Sequence, residues 1–311
     1  MDETEQDNGQ GVGQETTRCG YAAIIGAPNA GKSTLLNMLV GSKLSIVSPK
    51  VQTTRSRVLG IRIVGRAQVI FVDTPGIFLP KRRLERAMVA AAWRGAGDAD
   101  LVLLMVDAAA WPDEDSRRIL AGLREAKRSA ILVLNKIDRV RRDRLLGIAA
   151  ELNAEGDFTD TFMISALTGD GVDDLLNAIA GRLPEGPWLF PEDQISDMPM
   201  RLLAAEITRE KVFLQLHEEL PYAIAVETES WEEFQNGDVR IRQIVYVQRE
   251  GQKAIVLGRA GRRIKAIGEA ARAELEAMLG TKVHLFLHVK VKEDWIEDPA
   301  RYRDLGLDYR A

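Results

Sequence analysis

The chain has 311 residues, 46 % hydrophobic and 28 % charged, with a net charge of −4; that is length for two ordinary domains and the composition of a soluble globular protein. The single cysteine, Cys19, excludes an internal disulfide and points to a reducing compartment. No apolar run approaches the roughly 18–20 residues that span a bilayer, and the acidic balance means that any basic, polyanion-binding face must be local.

Residues 1–19 read as a disordered acidic tail, with Asp2, Glu3, Glu5, Asp7 and Glu15 among glycines. Such a segment buries too little apolar surface to offset its ordering entropy, and it lacks the basic start and apolar core of a signal peptide. Residues 20–182 then alternate short apolar runs with amphipathic stretches. Tyr21–Gly26, Gln68–Asp73, Leu101–Asp107, Ile131–Asn135 and Thr161–Ser165 are expected as buried strands. Ser33–Val40, Lys81–Gly95, Asp113–Lys127 and Val172–Leu183 are expected as helices, and Ser56–Val64 as an antiparallel edge strand. Alternation of this kind predicts an α/β, doubly wound, mostly parallel sheet.

Residues 183–199 break the rhythm with Pro184, Pro187, Pro191 and Pro199, and read as a linker. The remainder, 200–311, has an α+β pattern. A helix is expected over Arg201–Glu218, and half-buried strands over Pro221–Glu229 and Val239–Gln248. Arg262–Leu279 carries an apolar stripe, and Val283–Lys292 alternates strictly between apolar and polar side chains.

Four motifs in fixed order describe one ligand in the first domain. Gly26-Ala27-Pro28-Asn29-Ala30-Gly31-Lys32-Ser33-Thr34 follows a strand and opens a helix, the setting of a phosphate loop. Its glycines let N–H groups turn toward a β-phosphate, and the helix N-terminus favours anions. Lys32 is assigned to the β- and γ-phosphates and the Ser33 hydroxyl to Mg²⁺. Asp73-Thr74-Pro75-Gly76 ends the next parallel strand: Asp73 can hold magnesium through water, and the Gly76 N–H can meet a γ-phosphate. Asn135-Lys136-Ile137-Asp138 selects guanine, because Asp138 can accept from N1–H and the exocyclic amine, which adenine does not supply. Asn135 can meet N7 and brace the phosphate loop, and the Lys136 stem can lie over the ring. Ser165-Ala166 is expected to turn backbone N–H toward guanine O6. Within Val51-Gln52-Thr53-Thr54-Arg55, Thr54, or second Thr53, would complete the magnesium shell when a γ-phosphate is present, making this loop a switch.

The catalytic pattern departs from the common GTPase form. Ile77 stands where many GTPases carry the glutamine that orients the attacking water, so slow intrinsic hydrolysis is expected. The Gly-x-Pro-Asn-x-Gly-Lys-Ser loop is similar to that of GTPases that recruit K⁺ beside the phosphates. That makes Asn29 a candidate K⁺ ligand; the alternative is that Asn29 only caps the loop.

In the second domain Gly258-Arg259-Ala260-Gly261 precedes the amphipathic helix. A Gly-x-x-Gly pattern arises about once or twice by chance in such a chain, but its setting matches the loop with which KH domains clamp single-stranded RNA. Residues 240–292 contain twelve Arg or Lys against four acids, a local basic zone. Lys253, Arg259, Arg262, Arg263 and Lys265 are the candidate RNA contacts beside the loop. The alternatives are a solvated face on a protein-interaction module, or a metabolic phosphate-loop kinase, for which the Asn-Lys-x-Asp motif has no use.

With these motifs in hand, the chain resembles the Era family of bacterial GTPases over residues 20 to about 300. Gln52-Thr53-Thr54-Arg55, Glu206-Ile207-Thr208-Arg209-Glu210-Lys211, Glu219-Leu220-Pro221-Tyr222 and Arg249-Glu250-Gly251-Gln252-Lys253 extend the likeness beyond the nucleotide motifs. The resemblance implies a phosphate-loop GTPase domain followed by a type II KH domain. It further implies a GTP-dependent switch that binds 16S rRNA near its 3′ end and assists assembly of the small (30S) ribosomal subunit. It also implies a cytoplasmic protein that is partly associated with the inner membrane; a monomer is expected.

Overall fold

A computed structural model describes residues 16–50, 53–216, 224–293 and 295–311. The expected acidic tail lies almost wholly outside the described residues, as do Val51, Gln52 and 217–223.

The first sheet has six strands in the order β2-β3-β1-β4-β5-β6. They are β1 (Arg18–Gly26), β2 (Val58–Val64), β3 (Ala67–Asp73), β4 (Leu101–Asp107), β5 (Ala130–Asn135) and β6 (Phe158–Met163). All run parallel except β2, which pairs antiparallel with β3 at the edge. Helices α1 (Lys32–Val40) and α5 (Val172–Arg182) pack on one face. Helices α2 (Arg83–Asp98), α3 (Glu114–Glu125) and α4 (Arg142–Glu155) belong to the other side. Every residue of β3 is buried, as a central parallel strand covered on both faces requires.

In the first domain two expected strands are corrected and one helix is added. Strand β1 begins at Arg18 rather than Tyr21, because Arg18 and Cys19 pair with Ala67 and Gln68 of β3. Strand β6 covers Phe158–Met163, not Thr161–Ser165; its pairing with β5 stops at Leu134↔Met163, which leaves Ser165 in the following loop. Helix α4 was not anticipated, although Leu145, Ile148 and Leu152 supply a buried stripe at helical spacing.

The proline-rich segment 183–199 is bound along its length to the sheet edge. Gln68, fully buried in β3, accepts from the Leu189 and Phe190 amides and donates to the Phe190 carbonyl. Ile61 N–H donates to Ile195 O, and Ser196 Oγ to Leu59 O. Met198 packs against the apolar clusters of both halves.

Beyond it come α6 (Met200–Gln215), β7 (Ala225–Glu233), β8 (Val239–Val247), α7 (Glu250–Leu257), α8 (Arg262–Leu279) and β9 (Val283–Val291). Strand β8 is central, antiparallel to β7 and parallel to β9. Helices α6, α7 and α8 cover one face of this sheet, with Val212, Ile267 and Val245 in its core. A final helix, α9 (Pro299–Asp304), and the residues after it return to the first domain. There Tyr302 and Leu307 pack on Leu84, Ala87 and Met88 of α2.

Candidate functional site: a guanine-nucleotide pocket and a Gly-x-x-Gly loop

The pocket forms at the carboxyl ends of β1, β3 and β5, where a doubly wound sheet places its ligands. Its cavity is about 630 Å³, the size of a small-molecule site. The chain turns from β1 into α1 through Gly31, whose φ is +103°. A Cβ at Gly31 would lie 2.3 Å from Asn135 Nδ2, so only glycine closes the loop onto that side chain. No side chain caps α1, so its first N–H groups point at the cavity.

Lys32 is buried and its Nζ donates to the Gly26 and Ala27 carbonyls at 3.0 and 2.9 Å. Burial pushes its pKa down to about 8, against the attraction of Asp73. The magnesium candidates converge. Ser33 Oγ donates to Asp73 Oδ2 at 2.8 Å and lies 2.8 Å from Thr54 Oγ1, which itself donates to Asp73 Oδ2 at 3.4 Å. Asp73 is fully buried and its Oδ1 has no hydrogen-bond partner among the described residues. Burial raises its pKa; Lys32 and the hydroxyls of Ser33, Ser45 and Thr54 oppose that rise. A buried carboxylate with one orphaned oxygen, ringed by hydroxyls, is a donor set for a hard oxygen-seeking cation. These residues therefore fit magnesium.

Thr34 also lines the cavity, and Gly76 reaches it across Pro28, whose Cα lies 3.1 Å from where a Gly76 Cβ would sit. Other motif members hold the frame instead. Thr74 Oγ1 donates to the Ile24 carbonyl, and Ile77 N–H donates to the Gly26 carbonyl with its side chain buried. Asp73, Gly26, Ala27, Ala30 and Pro75 lie behind the cavity wall rather than on it.

At the base end, Asn135 is 2 % exposed and both its side-chain polar atoms are engaged. Nδ2 donates to the Ala30 carbonyl and Oδ1 accepts from the Ala166 N–H. The brace of the phosphate loop is thus present, whereas the Ala166 N–H expected to face guanine O6 is turned to Asn135. Ser165 Oγ donates to Asp138 Oδ1 at 2.7 Å and orients that carboxylate. Lys136 Nζ reaches Asn29 O and Asp107 Oδ2, which stretches its stem across the base end of the cavity.

Two features were not read from the sequence. Ser45 Oγ, 3 % exposed, is a third hydroxyl on Asp73 Oδ2 at 2.9 Å, placed there because Asn37 Oδ1 accepts from the Leu44 and Ser45 amides. Residues 46–50 form one wall of the cavity, and Asn29 Nδ2 donates to the Pro49 carbonyl within it. A lone serine in a loop offers no spacing signal.

In the second domain Gly258 (φ +70°) ends α7 and Gly261 (φ +72°) caps α8. A Cβ on Gly258 would lie 2.7 Å from Arg263 Cβ. Arg259, Arg262 and Lys265 are exposed around the loop and Lys253 is half-buried. Arg263 differs: its Nη1 donates to the Ile255 carbonyl at 2.6 Å and closes the loop from within. Val256 and Ile267 belong to the core, while Ile255 stays 48 % exposed beside the loop.

Comparison with known proteins agrees with this geometry. The model of the 50S ribosome-binding GTPase family matches residues 21–136, and the KH domain model matches 219–296. GTPase Era of Rhizobium meliloti (strain 1021) is 58 % identical over 309 residues, 99 % of this chain and 98 % of that one. GTPase Era of Brucella suis biovar 1 is 58 % identical over 293 residues, 94 % of each chain. A crystal structure of Era in complex with MgGDPNP and nucleotides 1506–1542 of 16S ribosomal RNA superposes with a TM-score of 0.88 at 42 % identity, covering 93 % of this chain and 99 % of that one. A single-residue variant of Aquifex aeolicus Era bound to GDP and AlF4⁻ gives 0.87 at 43 % identity over the same shares. With a guanine-nucleotide pocket and a Gly-x-x-Gly module on one chain, and relatives matching both over almost its whole length, this chain belongs to the Era family of GTPases.

Proposed function

We propose that the chain is a GTP-driven switch that binds 16S rRNA near its 3′ end and assists assembly of the small ribosomal subunit. In this reading residues 20–182 bind and hydrolyse GTP, 183–199 link, and 200–311 hold RNA. The observation that carries it is the loop after α1, whose residues 43–50 and 53–55 lie against the nucleotide cavity on one side and α6 of the RNA module on the other. Support also comes from the relative solved with MgGDPNP and 16S nucleotides together.

Lys32 and the α1 N-terminus hold the phosphates, and the Gly76 N–H meets the γ-phosphate. Asp138, oriented by Ser165, selects guanine. Ser33, Thr54 and Asp73 would hold magnesium, which when bound neutralises charge developing on the phosphate oxygens. Ile77 is buried and apolar and orients no water, so these residues bind the triphosphate well and hydrolyse it slowly. Asn29, whose side chain already spans to the switch loop at Pro49, is the candidate ligand for K⁺; faster hydrolysis in K⁺ than in Na⁺, lost in Asn29→Ala, is the expected signature. A cytoplasmic site of action fits the lone cysteine.

The test is binding of a 3′-terminal 16S rRNA oligonucleotide to the full chain with GTP analogue, GDP or no nucleotide, at two salt concentrations. Tight, salt-sensitive binding with the analogue alone is expected. Equal affinity in all three states would remove the switch, and no binding in any state would favour a protein-interaction module.

A further inference from the structure

Thr54 reaches the magnesium position through its hydroxyl, and the residues on either side of it are both held by the second domain. On one side, Arg209 Nη2 of α6 donates to the Thr53 carbonyl at 2.5 Å. Arg209 is itself 2 % exposed, is bonded to the Glu206 carboxylate, and lies 5.0 Å from the Phe213 ring centroid. On the other side, the Arg55 side chain leaves its own domain. It is 4 % exposed, its Nη1 donates to the Ile224 carbonyl at 2.7 Å, and its guanidinium stands 5.8 Å from the Phe213 ring and 5.7 Å from the Trp295 ring. The Phe213 ring therefore lies against both guanidiniums.

A buried guanidinium is costly unless acceptors and aromatic faces surround it. Arg55 is consequently found either in this seat or in solvent, with little between. Consecutive Cα atoms are about 3.8 Å apart, so a shift of the second domain by even part of that distance must displace Thr54 unless Arg55 leaves its seat.

We propose that Arg55 and Arg209 are positioning residues for Thr54, clasped by Phe213, Ile224 and Trp295 of the RNA-binding module, so that the placement of that module decides how well the γ-phosphate form of the nucleotide is held. This deepens the switch reading above and rests on its assignment of Thr54 to magnesium. Coupling between two sites is reciprocal: whatever moves the module alters triphosphate affinity, and the triphosphate fixes the module. GDP, which has no γ-phosphate to order the threonine, is indifferent to the clasp.

The experiment uses the full chain with Trp295→Leu, Arg209→Met and Arg209→Lys, and with Thr54→Ala in parallel. Affinities for a non-hydrolysable GTP analogue and for GDP are measured across a magnesium titration. Trp295→Leu and Arg209→Met are expected to weaken the analogue about tenfold and raise its magnesium requirement while GDP stays within about twofold; Arg209→Lys, which keeps a donor for the Thr53 carbonyl, recovers part of the loss. GDP affinity serves as the folding control within each variant. Equal weakening of GDP and analogue would mean general damage and would overturn the proposal, as would no change in either. If Thr54→Ala itself failed to weaken the analogue selectively, the magnesium assignment would fall first and the clasp with it. Selective loss in Thr54→Ala without loss in the clasp variants would overturn the clasp alone.

Discussion

Lys32 shows how burial tunes a phosphate-binding side chain. With its pKa near 8, a lysine normally charged up to about 10.4 is partly neutral in the empty pocket at mildly basic pH. Phosphates favour the charged form, so nucleotide binding draws a proton onto Lys32 between pH 8 and the unperturbed value. GDP affinity is expected to fall as pH rises above about 8. Calorimetric binding at pH 8.5 in two buffers of different ionisation enthalpy should show net proton uptake; none would mean that Lys32 is fully charged before binding. Asn135 is the matching case among neutral groups. Asn135→Ala removes the partners of the Ala30 carbonyl and the Ala166 N–H, and a lost buried partner costs about 1–3 kcal/mol. A fall in unfolding free energy of a few kcal/mol, together with weaker binding of every guanine nucleotide, is expected from denaturant titration and binding curves. Both side chains sit in motifs that are plain in the sequence. The third hydroxyl on Asp73, from Ser45, does not, because only the folded loop held by Asn37 brings it there.

At the level of elements, parallel strands declare themselves as short apolar runs, and Leu101–Asp107 and Arg262–Leu279 fall where periodicity puts them. Edges are less legible. Strand β6 carries Phe158, Thr159, Asp160 and Thr161 on a half-exposed border, so its sequence lacks the continuous apolar signal of a covered strand. The Gly-x-x-Gly element is legible as a pattern but weak as evidence until the folded loop explains its glycines. Gly258→Asp places a Cβ against Arg263 at a φ that strains any L residue. The variant is expected to lose RNA binding by an order of magnitude or more while GTP hydrolysis persists, because the loop lies on α7 and α8, away from the nucleotide cavity. Gel-shift and phosphate-release assays on the same preparation check both halves of that statement.

Across the whole molecule, the two domains are tied by more than the linker. Lys43 bridges Glu210 of α6 and Glu274 of α8, and Lys211 joins the same two carboxylates. Burial resists ionisation of Glu210, but Lys211, Lys43 and the Val47 N–H outweigh it and hold its pKa below the usual carboxylate range. Lys50 caps the end of α6 at the Phe213 and Leu216 carbonyls. At the other side Arg83 of α2 meets Tyr309 and Glu297 beyond β9. Contacts this numerous should make the domains respond together. A non-hydrolysable GTP analogue at about a hundred times its dissociation constant adds about 2.7 kcal/mol to the state that binds it, and amide exchange in β8 and β9 is expected to slow along with that in β1 and β3. Slowing confined to the first domain would show that the interface transmits no stability.

The division between sequence and tertiary structure follows from what each contact requires. The phosphate loop, the Asp-x-x-Gly turn and the Asn-Lys-x-Asp motif are local chemistry on consecutive residues, so the nucleotide, its guanine selectivity, the two-domain plan and the family were all legible in the chain itself. The roles of Arg55 and Arg209 were not. Each reads as a charged residue in a motif, and only folding, which buries both against one phenylalanine from opposite sides of Thr54, turns them from surface charges into the link between the nucleotide and the RNA module.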